Sequence, residues 1–242
     1  MMCCPKKTFV KMQRGHEPPG VRGAEVANAG VWTLNLPNVI TIVRILTAPL
    51  VAILLLQPGP TSRLIAFALF LVAALSDLWD GYLARSRDQI TSIGKIMDPI
   101  ADKLLLVSTL VPIYIVMSRE LELAGLPLFN AVPLWAVVIL LGRELLITML
   151  RFVAIRQGSV VAARGLGKRK ALAQNIFIGA AILWIGFRSP GFGAPRDQAW
   201  LWFTEFHGWF TTTFLTAALV LTVASAVLYL GTFSRILTRE HT

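Results

Sequence analysis

After Trp32 polar residues thin out, and the chain becomes a succession of apolar runs broken by short polar or Gly/Pro-containing links. Several runs reach the roughly 20 residues that cross a hydrocarbon core as a helix. Six helical spans are predicted, over about Pro37–Leu56, Leu64–Arg85, Lys95–Met117, Phe129–Val153, Leu172–Phe187 and Thr212–Leu237. The first opens on a proline, which suits the first turn of a helix. It stops at Gln57-Pro58-Gly59-Pro60, a cluster of breakers. Between the fifth and sixth spans, Trp200, Trp202, Phe203, Phe206, Trp209 and Phe210 crowd one short stretch. Aromatics at that density suit a bilayer interface, so this stretch is expected to lie along the membrane surface rather than cross it. The fold expected is all-α. It is a polytopic bundle of six transmembrane helices over residues 36–237, preceded by a basic arm over 1–35 and followed by a tail over 238–242.

Composition supports a membrane protein. Of 242 residues, 55% are apolar and only 15% charged, whereas soluble domains carry about a quarter. Net charge is +10, and its placement sets the orientation. With the amino terminus cytoplasmic, the arm's lysines and arginines fall inside. So do Arg85, Arg87, Lys95, the basic residues from Arg151 to Lys170, Arg235 and Arg239. Only Arg63, Arg119, Arg188 and Arg196 fall outside. That bias puts both termini in the cytoplasm. It also accounts for the positive charge through topology and anionic lipid headgroups, so no nucleic-acid partner is expected. The only cysteines, Cys3 and Cys4, are too few for a disulfide framework or a zinc site.

Against this background, four aspartates stand out. A charge at the centre of a spanning helix costs about 3 kcal/mol on insertion scales and is kept mainly for function. Asp77 and Asp80 fall near the cytoplasmic end of the second span, three residues apart and on one face. Asp98 and Asp102 do the same in the third, four apart, with Gly94 one turn earlier. The short link between these spans predicts an antiparallel hairpin in which the four carboxylates converge. Converging carboxylates repel unless cations sit among them, and an all-oxygen set suits hard ions such as Mg2+ or Mn2+. Metal held at a membrane surface points to phosphate chemistry. Gly81 and Ala84 leave room for a bulky group against the helix, and Arg85 can take a phosphate. Two other uses compete. The aspartates can pair with the intramembrane cations Arg44, Lys103 and Arg143, or line the path of a cation-coupled transporter. The acids cluster at one end and no acid continues outward, which disfavours a transport path.

Written out, the stretch is Asp77-x2-Asp80-Gly81-x2-Ala84-Arg85-x8-Gly94-x3-Asp98-x3-Asp102. It resembles the complete signature of the CDP-alcohol phosphatidyltransferase family. The resemblance implies a six-span homodimer in which an alcohol attacks the phosphate of a CDP-linked lipid and CMP leaves. It implies that Asp77, Asp80, Asp98 and Asp102 hold two Mg2+ or Mn2+ ions, with Asp102 also the catalytic base. Gly81 and Ala84 would admit the cytidine, Arg85 would meet the donor's phosphates, and Thr91 and Gly94 would complete the donor site.

Three further segments narrow the resemblance to the bacterial phosphatidylglycerophosphate synthases of that family. Pro37-Asn38-Val39-Ile40-Thr41-Ile42-Val43-Arg44 resembles their opening, with Asn38, Thr41 and Arg44 near one helix face toward the CDP moiety. Capping the helix and pairing with an acid is the structural use of the same three residues. Gly142-Arg143-Glu144 through Arg151, and Gly167-Lys168-Arg169-Lys170 through Gln174, resemble two more of their segments, although Ala171 stands where the latter has Thr. Glycerol 3-phosphate carries two negative charges and needs a basic pocket, which Arg143, Arg151, Lys168 and Lys170 can supply. The structural use of Arg143 is an ion pair with Glu144, and that of Lys168–Lys170 is topology alone. The activity expected is transfer of the phosphatidyl group from CDP-diacylglycerol to glycerol 3-phosphate, at the cytoplasmic side of a bacterial inner membrane. Cardiolipin synthase and phosphatidylinositol phosphate synthase are the alternatives within the family. The former carries Arg-Asp where this chain has Arg143-Glu144.

Overall fold

The computed structural model describes residues 36–87, 94–156, 166–193 and 197–239. They form six α-helices: α1 (Leu36–Leu56), α2 (Pro60–Arg87), α3 (Gly94–Arg119), α4 (Leu134–Arg156), α5 (Leu166–Arg188) and α6 (Gln198–Arg239). No strand occurs among the described residues beyond one isolated bridge between Leu126 and Asn130. The fold is all-helical, as the apolar runs predict.

Local sequence explains the boundaries. α1 ends where Gly59 takes a positive φ of 109°, and α2 restarts on Pro60, a residue suited to a first helical turn. Leu128 and Asn130 both take positive φ in the turn before α4. That turn and Pro133 delay α4 to Leu134, five residues after the expected start at Phe129. Asp197 caps α6, its Oδ1 accepting from the Trp200 amide at 2.9 Å.

α1, α3, α5 and α6 are long and apolar enough to cross a membrane on length and composition, while the apolar part of α2, Pro60–Ser76, is shorter. Faces agree with a lipid surround. On α1, Arg44, Ala48, Val51 and Leu55 are buried, whereas Val43, Leu46, Leu50 and Ile53 form an exposed apolar stripe. Exposed apolar residues are also numerous on α2, α4 and α6; together they would precipitate a water-soluble protein and are the ordinary outer surface of a membrane one. The chain is an integral membrane protein.

Packing among the described residues follows a ring: α1 on α2, α2 on α5, α5 on α6, α6 on α4, α4 on α3 and α3 back on α1, with α3 also touching α5. α1 packs against both α2 and α3, while the connection on which the expected α2–α3 hairpin turns lies outside the described residues. One expectation changes. The aromatic stretch is not a separate surface element. It is the first part of α6, continuous with the expected sixth span. Gly208 eases the approach of α6 to α5: a Cβ there would sit 3.1 Å from Pro127 and from the Trp184 ring, a tight contact that would make a neighbour give way.

Candidate active site

Inside the ring, at the end where α2 finishes and α3 and α5 begin, lies a cavity of about 350 Å³. Its polar lining comes from four helices: Arg44 of α1, Asp102 and Lys103 of α3, Arg143, Glu144 and Arg151 of α4, and Lys170 and Gln174 of α5. Five residues singled out from sequence as Asp102, Arg44, Arg143, Arg151 and Lys170 thus meet around one space, although more than 120 positions separate the outermost two.

The cavity is internally paired. Arg44 is buried on α1 and donates from Nη1 to Asp102 Oδ1 at 3.2 Å. Asp102 stays 53% exposed at its side chain and lines the cavity. Arg143 donates to Glu144 Oε1 at 2.7 Å through Nη1 and to Ser225 of α6 at 3.0 Å through Nη2. The same Glu144 oxygen accepts from Lys170 Nζ across the cavity. Sequence reasoning saw Arg143 beside Glu144. It did not see Glu144 as the shared partner of two cations on different helices, nor Lys103 and Gln174 on the wall. The spacing of Lys170 and Gln174, one turn apart on one face, was the available signal for the latter.

Other expected site residues fall elsewhere. Thr41 is buried but does not line the cavity, and Lys168 lines a neighbouring groove instead. Asp77, Asp80, Gly81, Ala84 and Arg85 belong to the last part of α2, Gly94 and Asp98 to the start of α3, and Asn38 to the first turn of α1. The side chains of these residues, and the whole of Thr91, lie outside the described residues. Convergence of the four carboxylates lies outside them too. Among the described residues no three His, Cys, Asp or Glu side chains are grouped to hold a metal ion.

Beside the cavity runs an apolar groove of about 800 Å³. α5 forms its floor, with Leu172, Ile176, Gly179 and Leu183, and its walls come from Phe67, Phe70, Leu71 and Leu75 of α2 and from Phe206 and Phe210 of α6. Phe70, Ala74, Ala171 and Asn175 border both spaces. A polar chamber adjoining a lipid-facing apolar groove defines a membrane protein equipped to take an amphiphile with a charged head. The chain belongs to the CDP-alcohol phosphatidyltransferase family, which residues 34–224 match. As a class, members transfer phosphatidyl groups and depend on a divalent metal.

Curated relatives agree. The chain is 35% identical over 190 residues to the CDP-diacylglycerol–glycerol-3-phosphate 3-phosphatidyltransferase of Bacillus subtilis (strain 168), covering 72% of this chain and 92% of that protein. It is 36% identical over 152 residues to a probable phosphatidylglycerophosphate synthase of Mycobacterium tuberculosis, covering 62% of this chain and 66% of that protein. It is also 32% identical over 216 residues to the CMP-forming cardiolipin synthase of Streptomyces coelicolor, covering 86% of this chain and 92% of that protein.

Proposed function

We propose that this protein transfers the phosphatidyl group of CDP-diacylglycerol to glycerol 3-phosphate, giving phosphatidylglycerophosphate and CMP. The observation that carries the reading is the meeting of Arg143, Arg151 and Lys170 around the cavity that Asp102 also lines. A phosphate-bearing acceptor needs cations beside its reacting hydroxyl. The Bacillus relative, with nearly its whole length covered, supports the same acceptor. In this reading the groove takes an acyl chain of the donor, while the charged head enters the cavity sideways from the bilayer.

The residues suit the family's metal. Asp102 is a partly exposed carboxylate on the cavity wall, and Asp98 precedes it by one turn of α3. Asp77, Asp80, Asp98 and Asp102 would hold two Mg2+ or Mn2+ ions, which neutralise charge on the donor's pyrophosphate. Asp102 takes the proton of the acceptor's primary hydroxyl. That oxygen forms the new bond to the phosphorus next to diacylglycerol, and the bond to CMP breaks with its electron pair leaving on CMP. Asn38, Thr41, Arg44, Gly81, Ala84, Arg85, Thr91 and Gly94 hold the CDP end, and Arg143, Arg151, Lys168 and Lys170 the acceptor phosphate. Lys168 acts from the groove side of α5. The working unit is a homodimer of six-span chains, residues 36–237 of each forming the catalytic domain. Both termini and the cavity mouth face the cytoplasm at a bacterial inner membrane.

The test is an acceptor panel. Purified protein, Mg2+ and labelled CDP-diacylglycerol are mixed separately with glycerol 3-phosphate, phosphatidylglycerol and inositol phosphate, and the lipid products separated. Product with glycerol 3-phosphate alone is expected. Cardiolipin made from phosphatidylglycerol would instead support the reading suggested by the Streptomyces relative.

A further inference from the structure

Gln174 is 3% exposed, lines the polar cavity, and its Nε2 has no hydrogen-bond partner among the described residues. A buried donor left without a partner costs about 1–3 kcal/mol, and nearly all buried polar groups avoid that cost. Leucine or methionine at this position would remove the cost while filling the same space. Gln174 also shares a helix face with Lys170, one turn earlier. Across the cavity, Arg143 Nε is likewise buried without a partner. Their nearest charged groups are engaged: Lys170 and Arg143 Nη1 with Glu144, and Arg143 Nη2 with Ser225. Two N–H donors without a hydrogen-bond partner among the described residues therefore border one space rich in positive charge, and an anionic oxygen suits both the donors and the charge.

We propose that Gln174 is an acceptor-binding residue, its amide N–H donating to a phosphate oxygen of the acceptor alongside Arg143 and Lys170. This rests on the acceptor reading above and adds a residue and a role to it. Glu144 cancels one of the two positive charges of Arg143 and Lys170. Tight capture of a phosphate dianion then needs directed neutral donors as well as charge, and Gln174 supplies one. A site built around a buried donor discriminates against acceptors that cannot satisfy it, so Gln174 is also a determinant of specificity.

The experiment compares wild type with Gln174→Met and Gln174→Leu in detergent. Three quantities are measured: KM for glycerol 3-phosphate, KM for CDP-diacylglycerol, and the rise in Tm caused by glycerol 3-phosphate without donor. One lost hydrogen bond to a charged oxygen corresponds to about a tenfold effect. The variants are expected to raise the acceptor KM about tenfold, with kcat and donor KM close to wild type. Their ligand-free Tm should equal or exceed that of wild type, because an unpaired buried donor has been removed, and the acceptor-induced rise in Tm should shrink. An unchanged acceptor KM in either variant would overturn the proposal, as would a shift confined to the donor KM. So would a lower ligand-free Tm with acceptor binding intact, the signature of a structural amide. Wild type unable to use glycerol 3-phosphate would instead overturn the acceptor reading. The two failures are distinguishable because in the first the wild type still turns over.

Discussion

Glu144 is the residue on which the basic side of the cavity depends. Its side chain is one-quarter exposed, and the Lys170 side chain that it neutralises is only 4% exposed. Removing one partner of a buried pair leaves the other charge uncompensated, at about 3–5 kcal/mol. Glu144→Ala should therefore lower Tm and activity together. Lys170→Met should leave the fold intact, since Glu144 keeps Arg143, but raise the acceptor KM at least about tenfold, the scale of one charge-assisted contact. Thermal unfolding and steady-state kinetics on the two variants separate these effects. Arg143 was legible in the sequence because cations are rare in apolar spans, and Lys170 because its segment resembles one from the CDP-alcohol phosphatidyltransferase family. Their common partner was not, because it depends on which faces of α4 and α5 meet across the cavity.

At the scale of elements, the other end of the bundle is held by a different set of contacts. Arg63 at the start of α2 is fully buried. It donates to Glu120 beyond α3 and to Ser189 beyond α5, each at 2.6 Å. Trp184 of α5 donates to the Leu123 carbonyl at 3.0 Å, and Arg188 lies 5.0 Å over the Trp184 ring. These links fasten helices far from the cavity, so damage here should appear in stability and not in substrate affinity. Glu120→Ala should cost about 2 kcal/mol, below the fully buried range because Glu120 is one-third exposed. Both KM values should stay at wild-type levels. Positive-inside counting placed Arg63 outside and could say nothing of its burial. The start of α6 was misread for a related reason: aromatic density describes a preferred depth in the bilayer, and a helix can carry it as readily as a surface segment. Continuity from Gln198 to Arg239 is a matter of the Asp197 cap and the close approach allowed at Gly208.

For the whole molecule, the helix ring explains why the chemistry can occur at a membrane at all. It encloses a polar chamber against lipid, while α2 and α6 stand apart on α5 to leave an apolar groove that borders the chamber. A lipid can present its head to water-soluble groups without leaving the bilayer. The signature aspartates announced the chemistry, and the apolar runs announced the bundle. The order in which helices meet, which makes α1 the neighbour of both α2 and α3, is a long-range property that no local pattern carries. The most direct test of the central claim is CMP release from CDP-diacylglycerol by purified protein with Mg2+, measured with and without glycerol 3-phosphate, in wild type and in Asp102→Asn. CMP matching phosphatidylglycerophosphate one for one in wild type, absent without acceptor and lost in the variant, is the predicted result. CMP release that ignores the acceptor, or that survives Asp102→Asn, would contradict it.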